Sequence, residues 1–390
     1  MTSDSIQALD YSPAALFSAE VRAEPYGFYR WARKEAPVCP GGPMGAYLVS
    51  RYADVAYILR DVSGFSSSIM APADPVLLGA DPPAHHRVRD AVARALGVAR
   101  TTATETMLRN RARELIEEMV RARTADIIAD FATPLPIFAI ATLLGLPTDR
   151  HADLRRWADA VVASSTGMPT ADVTAQLRDM GNFLGALIAE RSEPHWNEHE
   201  DFISALLRGS SPLSAQEAVA VVSLIIVAGS ETTTHLIGNA VLALASCPVE
   251  LNRLRADPTR LPGVVDEVLR FESPVQVIQR RCTTAMVLSG VQIPEGAPVL
   301  LLLGSANRDE AQFANPDDFR PTRGVSHLAF GVGPHACVGA TLARLQTVIA
   351  LEALLLRVPE FTVLPDASRP LTQAVQLRGH ARMLAAFPER

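Results

Sequence analysis

Apolar positions recur at helical spacing over most of the chain, and they alternate or run short only near its two ends. In "RNRARELIEEMVRAR" Leu115, Ile116, Met119 and Val120 form one stripe, which predicts a helix. "DFATPLPIFAIATLLGLP" reads as an apolar helix closed by Gly145 and Pro147, and "ADLRRWADAVVASS" and "LRDMGNFLGALIAERS" as two more, parted by "STGMPT". The longest candidate is "SPLSAQEAVAVVSLIIVAGSETTTHLIGNAVLALASCP". Ser214 and Glu217 have capping-box spacing at its start, and Pro248 ends it. Such a helix spans roughly 45–50 Å and is apolar on most faces, as core helices are. "AYLVSRY" predicts a strand and "ADVAYILRD" a short helix. "TTAMVLSGVQIPEGAPVLLLLGSAN" holds strand-like runs split by turns, and "EFTVL" is a last short strand. Phe65 to His85 is a long loop broken by prolines, a length that usually signals function. The pattern predicts a mainly α chain with a small β-sheet region, as a single domain over residues 1–390.

Composition narrows the partners. The chain has 390 residues, 48% of them hydrophobic, and a net charge of −6. No basic face suggests nucleic acid. Lys34 is the sole lysine, so arginine carries the positive charge. Cys39, Cys247, Cys282 and Cys337 are scattered, which suits a reducing, cytoplasmic compartment rather than a disulfide scaffold. The N-terminus lacks signal-peptide character. The apolar run from Ala218 to Gly229 is shorter than a membrane span, and Glu231 and His235 follow inside the same helix, so a buried core helix is expected.

One loop holds chemistry. "HLAFGVGPHACVGATLARLQ" places Cys337 at the start of a helix whose stripe is Val338, Leu342, Leu345 and Ile349. Unpaired amides and partial positive charge at a helix start favour a thiolate. Gly331 and Gly333 can aim loop amides at sulfur, Gly339 lets something flat approach, and His335 can turn to an anion. A buried structural cysteine beside a glycine turn is the plain alternative for this residue taken alone.

The spacing Phe330-Gly331-x-Gly333-x-His335-x-Cys337-x-Gly339 resembles the haem-binding loop of the cytochrome P450 monooxygenases. The resemblance implies haem b (iron protoporphyrin IX), with Cys337 as the axial thiolate on iron. Three further stretches agree with it. "AGSETT" is similar to the family's oxygen-activation segment. Gly229 would open a groove for dioxygen, Thr232 would hold the proton-delivering hydrogen bonds, and Glu231 would be the adjacent acid. Without that context, Thr232 would bond back to a helix carbonyl and Glu231 would pair with an arginine. Glu267-x-x-Arg270 resembles the family's buried structural pair, with Arg323 as third member. "DPPAHHRVRDAV" puts His85 and Arg89 on one helix face, where the family meets the haem propionates; His335 and Arg281 would be further partners. His86 and Arg87 read as a solvated face.

The resemblance covers nearly the whole chain and implies the family's triangular, helix-rich fold. It also implies insertion of one atom of O2 into an apolar substrate of steroid, terpenoid or macrolactone class. No flavin or ferredoxin segment is visible, so electrons would come from a separate ferredoxin and its reductase, docking near Arg87, Arg94 and Arg344. A monomer without membrane or nucleic-acid partners is expected. Substrate positions by chain location are Ile69, Met70, Leu224, Val227, Ala228, Val275, Val277 and Leu377. A peroxide-driven peroxygenase and a haem gas sensor are the competing readings. The zinc-like motif His195-x-x-Glu198-His199 lies in a polar run after Pro194 and reads as an exposed loop.

Overall fold

The structure is a computed structural model. It describes residues 12–70, 74–99, 101–146, 150–165, 170–193, 196, 201–209, 211–324, 326–358, 361–364, 369–371 and 374–387. His195, Glu198 and His199 lie outside these residues. Among the described residues no group of three or more His, Cys, Asp or Glu side chains could hold a metal ion.

A 31-residue helix, Ala215–Ala245, is the axis of the molecule. Its start is fixed by the expected capping box: Ser214 and Glu217 each satisfy the other's backbone amide. By length and composition it could cross a membrane. Instead, Val221, Ile225, Leu236, Ile237, Ala240 and Leu244 are buried against neighbouring helices. Packing against it are the helices Pro134–Leu143, His151–Ser165, Ala171–Arg191, Leu261–Phe271 and Ala340–Arg357. Two apolar clusters meet along it, one toward Leu115, Phe131 and Leu354 and one toward Trp157, Leu184 and Phe202.

The apolar stretch before Gly145 is not one α-helix. A π-helical turn covers Ile127–Ala132, and the α-helix begins at Pro134. The prolines explain this, since proline lacks the amide an interior turn needs and is tolerated at a helix start. Pro248 ends the central helix and opens the helix Pro248–Ala256. The expected strand at 46–52 shrinks to Tyr47–Val49, and the helix Tyr52–Arg60 follows.

The main sheet has five strands in the order Val38–Pro40, Tyr47–Val49, Pro298–Leu302, Val277–Cys282 and Phe65–Ser66. Only the Tyr47–Val49 and Pro298–Leu302 pair is parallel. The proline-broken loop therefore contributes an edge strand, then a single turn at Ser68–Met70, before the helix Ala84–Ala99 begins. Thr124–Asp126, Leu384–Ala386 and Thr362–Val363 form a three-stranded sheet. Arg369–Pro370 pairs with His380–Arg382, and a bridge joins Val275 to Leu377. Chain ends and middle are thus stitched together around the central helix.

Candidate functional site

The cysteine loop is held by its own backbone. The Gly331 amide donates to Leu328 O at 2.8 Å, and the Cys337 amide to Phe330 O at 2.8 Å. Gly331 and Gly333 have φ of +65° and +79°. A Cβ on Gly333 would stand 2.6 Å from Leu59 O, so the loop presses on the end of the helix Tyr52–Arg60. Phe330 packs on the main core, and the Arg344 guanidinium lies 4.6 Å over its ring. The helix Ala340–Arg357 starts directly after Gly339.

Cys337 is surface-accessible yet recessed among protein atoms. Burial pushes its thiol up, against the Gly339 and Ala340 amides and the charges of Arg89 and Arg344. The amides at the helix start and the two arginines lower the cost of the anion, while desolvation opposes it. A Cβ on Gly339 would come 3.9 Å from the sulfur, so its absence leaves the approach to Cys337 clear.

Beside the loop is a cluster of donors short of anions. His335 and His85 lie ring to ring, with centroids 3.9 Å apart. His335 Nε2 is 3.1 Å from Ser67 Oγ. His85 is 1% exposed, and its Nδ1 has no partner. Burial holds His85 down at about 4 and His335 at about 3, with Arg89 and Arg280 pushing the same way. Arg280 is 5% exposed, and burial lowers it to about 10. Neither Arg89 nor Arg280 pairs with a carboxylate among the described residues. The nearby acid, Asp81, accepts from Ser66 Oγ and from the Ser67 amide at 2.8 Å.

Arg280 replaces an expected residue. Arg281 is exposed and donates to Gly296 O at 3.4 Å. Successive strand residues face opposite ways, so Arg281 turns out as Arg280 turns in. The same alternation sends Val277 into the core formed by Leu16, Phe28 and Leu300, and away from a substrate role.

In the central helix, Thr232 Oγ1 donates to Ala228 O at 2.6 Å, and Ser230 Oγ to Ile226 O at 2.5 Å. Both hydroxyls are thus satisfied by their own helix. Among the described residues Glu231 pairs with no arginine; its neighbour is His235, whose Nε2 lies 3.8 Å from Oε1. Gly229 lies against the helix Pro134–Leu143: a Cβ there would stand 2.6 Å from Ile140 Cδ1. Ala228 is exposed although mid-helix, while Leu224 and Val227 are half-buried. Ile69, Met70, Val275 and Leu377 are also half-buried.

Away from this chemistry, Glu267 anchors a buried charge network. It accepts from Arg270 at 2.8 and 2.9 Å, from Arg323 Nε at 3.1 Å and from the Arg320 amide at 2.7 Å. Arg270 also donates to Asn307 O, Pro316 O and Asp318 O. The network ties the helix Leu261–Phe271 to the segment leading into the cysteine loop.

These residues suit a haem. The accessible sulfur, the Gly339 gap and a cationic cluster without enough acids match one axial bond and two propionate carboxylates. The donors that sequence reasoning missed are Arg280 and Ser67.

The family model described as Cytochrome P450 matches residues 170–376. The putative cytochrome P450 123 of Mycobacterium tuberculosis is 35% identical over 384 residues, covering 94% of this chain and 95% of that protein. The cytochrome P450 monooxygenase PikC of Streptomyces venezuelae is 36% identical over 367 residues, covering 87% of this chain and 85% of that one. Among solved structures, cytochrome P450 CYP109Q5 from Chondromyces apiculatus superposes with a TM-score of 0.87 at 32% identity, covering 96% of this chain and 98% of that chain. CYP109E1 from Bacillus megaterium in complex with testosterone gives 0.85 at 29% identity, covering 94% and 99%.

Proposed function

The chain belongs to the cytochrome P450 family of monooxygenases, whose cofactor is haem b, and on that premise we propose that it oxygenates an apolar small molecule of steroid, terpenoid or macrolactone class. Electrons come from a separate ferredoxin and reductase, and the protein works as a cytoplasmic monomer of one domain. The observation that carries the reading is the recessed, accessible Cys337 beside a cluster of two histidines and two arginines, in which neither Arg89 nor Arg280 pairs with a carboxylate among the described residues.

Haem supplies iron that binds and activates dioxygen, and a thiolate ligand favours O–O cleavage. Cys337 would provide that thiolate. His85, His335, Arg89 and Arg280 would hold the propionates and so fix the ring's orientation. Thr232 and Glu231 hold protons on the central helix; Thr232 can leave its bond to Ala228 O to offer its hydroxyl to oxygen. Ala228, beside them, limits how close a substrate carbon comes. Aliphatic residues at Ile69, Val227, Val275 and Leu377 exclude water, and the structural neighbour that binds testosterone supports an apolar ligand of that size.

Of the three arginines expected to receive the ferredoxin, two are already partnered. Arg87 pairs with Glu217, and Arg344 Nε donates to Asp266 at 2.7 Å. Arg94 is exposed and has no acid partner among the described residues, so it is the docking residue of the three.

The test is turnover under 18O2 with a ferredoxin, its reductase and NAD(P)H, on ligands first chosen by a spin-state shift. Incorporation of a single labelled atom per product is expected. Product oxygen drawn from water, or turnover with peroxide alone, would reject the reading.

A further inference from the structure

The central helix carries a polar seam that the oxygen-activating pair does not explain. Ala228, Glu231, Thr232, His235 and Asn239 recur at three- and four-residue spacing on one helix face. His235 is 5% exposed, and among the described residues neither ring nitrogen has a hydrogen-bond partner. A leucine would fill that place without the cost, about 1–3 kcal/mol, of an unpaired buried polar group. Packing does not explain a histidine either. Gly379 must be a glycine for the ring to fit, because a Cβ there would stand 2.3 Å from His235 Nδ1.

Beyond Gly379 the seam continues. His380 is close enough for its charge and that of His235 to oppose each other, and its Nδ1 is also buried and unpartnered. Burial holds His380 down at about 4, with Glu272 working against that and Arg378 and His235 with it. Asn239 Nδ2 donates to Glu272 O at 2.9 Å and Arg378 O at 3.3 Å, and its Oδ1 is unpartnered. Arg378 pairs with Glu272 and reaches Glu24 at 3.5 Å, whose side chain is 69% exposed. Buried polar atoms of this kind are ordinarily satisfied by ordered water; Glu231 stands beside His235, His235 against Gly379, and Glu272 near His380.

We propose that His235 and His380 form a proton relay, bridged by water, that recharges Glu231 from solvent on the Glu272–Arg378 side. Each imidazole takes a proton on one nitrogen and gives up the proton on the other, so neither keeps a charge. Glu231 accepts that proton and passes it toward Thr232. No electrons move along the seam; the protons are those consumed when the second oxygen atom of O2 becomes water. His235 acts through Glu231 and is a positioning and relay residue. The inference rests on the monooxygenase reading above.

The experiment compares wild type with His235→Leu, His380→Leu and Glu231→Gln in the reconstituted holoenzyme. Product formed per NAD(P)H should fall roughly tenfold in all three, with hydrogen peroxide replacing product. Haem content, the spin-state midpoint for ligand and the thermal midpoint should stay near wild type in the histidine variants. His380→Leu decides the matter if His235→Leu does not fold. A second readout needs no turnover: with 15N-labelled histidine in the diamagnetic ferrous–CO form, the His235 ring-nitrogen shifts should show hydrogen bonds to water, and ring nitrogens without a hydrogen bond would overturn the relay. Both histidine variants coupled within about twofold of wild type, while Glu231→Gln uncouples, would overturn the relay and leave the monooxygenase reading standing. A wild-type enzyme that makes no oxygenated product would overturn both.

Discussion

Thr232 is the residue whose role separates the chemistry from the fold. Its hydroxyl already has a helix carbonyl, so Thr232→Ala should leave thermal stability within about 1 kcal/mol of wild type. Product per electron pair should nevertheless fall at least roughly tenfold, with oxygen still consumed, as steady-state assays of NAD(P)H and product would show. Full coupling in that variant would remove Thr232 from proton delivery. The cysteine, its glycines and the acid–alcohol pair were legible because they lie at fixed spacing along the chain. Arg280 was not. Alternation says that one of two adjacent arginines faces inward, but which one depends on the register of Val277–Cys282 against Pro298–Leu302, set by residues far away in sequence. His235 was visible only as a polar residue that argued against a membrane span. That neither of its ring nitrogens hydrogen-bonds among the described residues appears only when Gly379 and His380 are brought against it.

Between elements, two contacts carry predictions. Gly333 has positive φ and abuts the backbone of Leu59 and Arg60, which cannot give way as a side-chain end can. Gly333→Ala should cost at least about 2 kcal/mol in urea unfolding, and the protein should retain less haem on gel filtration. Glu267 is 3% exposed and faces Arg270 at 1%. Glu267→Gln leaves that guanidinium buried without its countercharge, and a loss of about 3–5 kcal/mol is expected by the same measurement. If either variant unfolds like wild type, the close contact or the buried pair is not what holds the loop. The helices were readable because apolar stripes and caps are local. The break at Thr133 to Pro134 and the two-residue strand at Phe65–Ser66 were not, since a short edge strand exists only through pairing with Arg281 and Cys282.

At the scale of the molecule, two apolar clusters meet along the central helix, and the basic side chains Arg89 and Arg280 gather with His85 and His335. A net charge of −6 gives no overall attraction for an acidic electron donor, so docking must be local. Arg94→Glu should slow reduction by the ferredoxin roughly threefold or more at low ionic strength, with the difference closing as salt is added. Equal rates at low salt would move the docking site elsewhere. Arg344→Glu is a poorer test, because it also sets a new carboxylate against Asp266. The order of motifs along the chain made the architecture readable before any coordinates, whereas the substrate did not follow from it, because the aliphatic residues that would meet a ligand look like any other core. The central claim is a haem bound through Cys337 as thiolate. It is tested most directly by the absorbance of the dithionite-reduced protein under CO. A band near about 450 nm in wild type, lost in Cys337→His with haem retained, is the predicted result. A haem-loaded wild type whose CO band stays at the shorter wavelength of histidine-ligated haem proteins would contradict it.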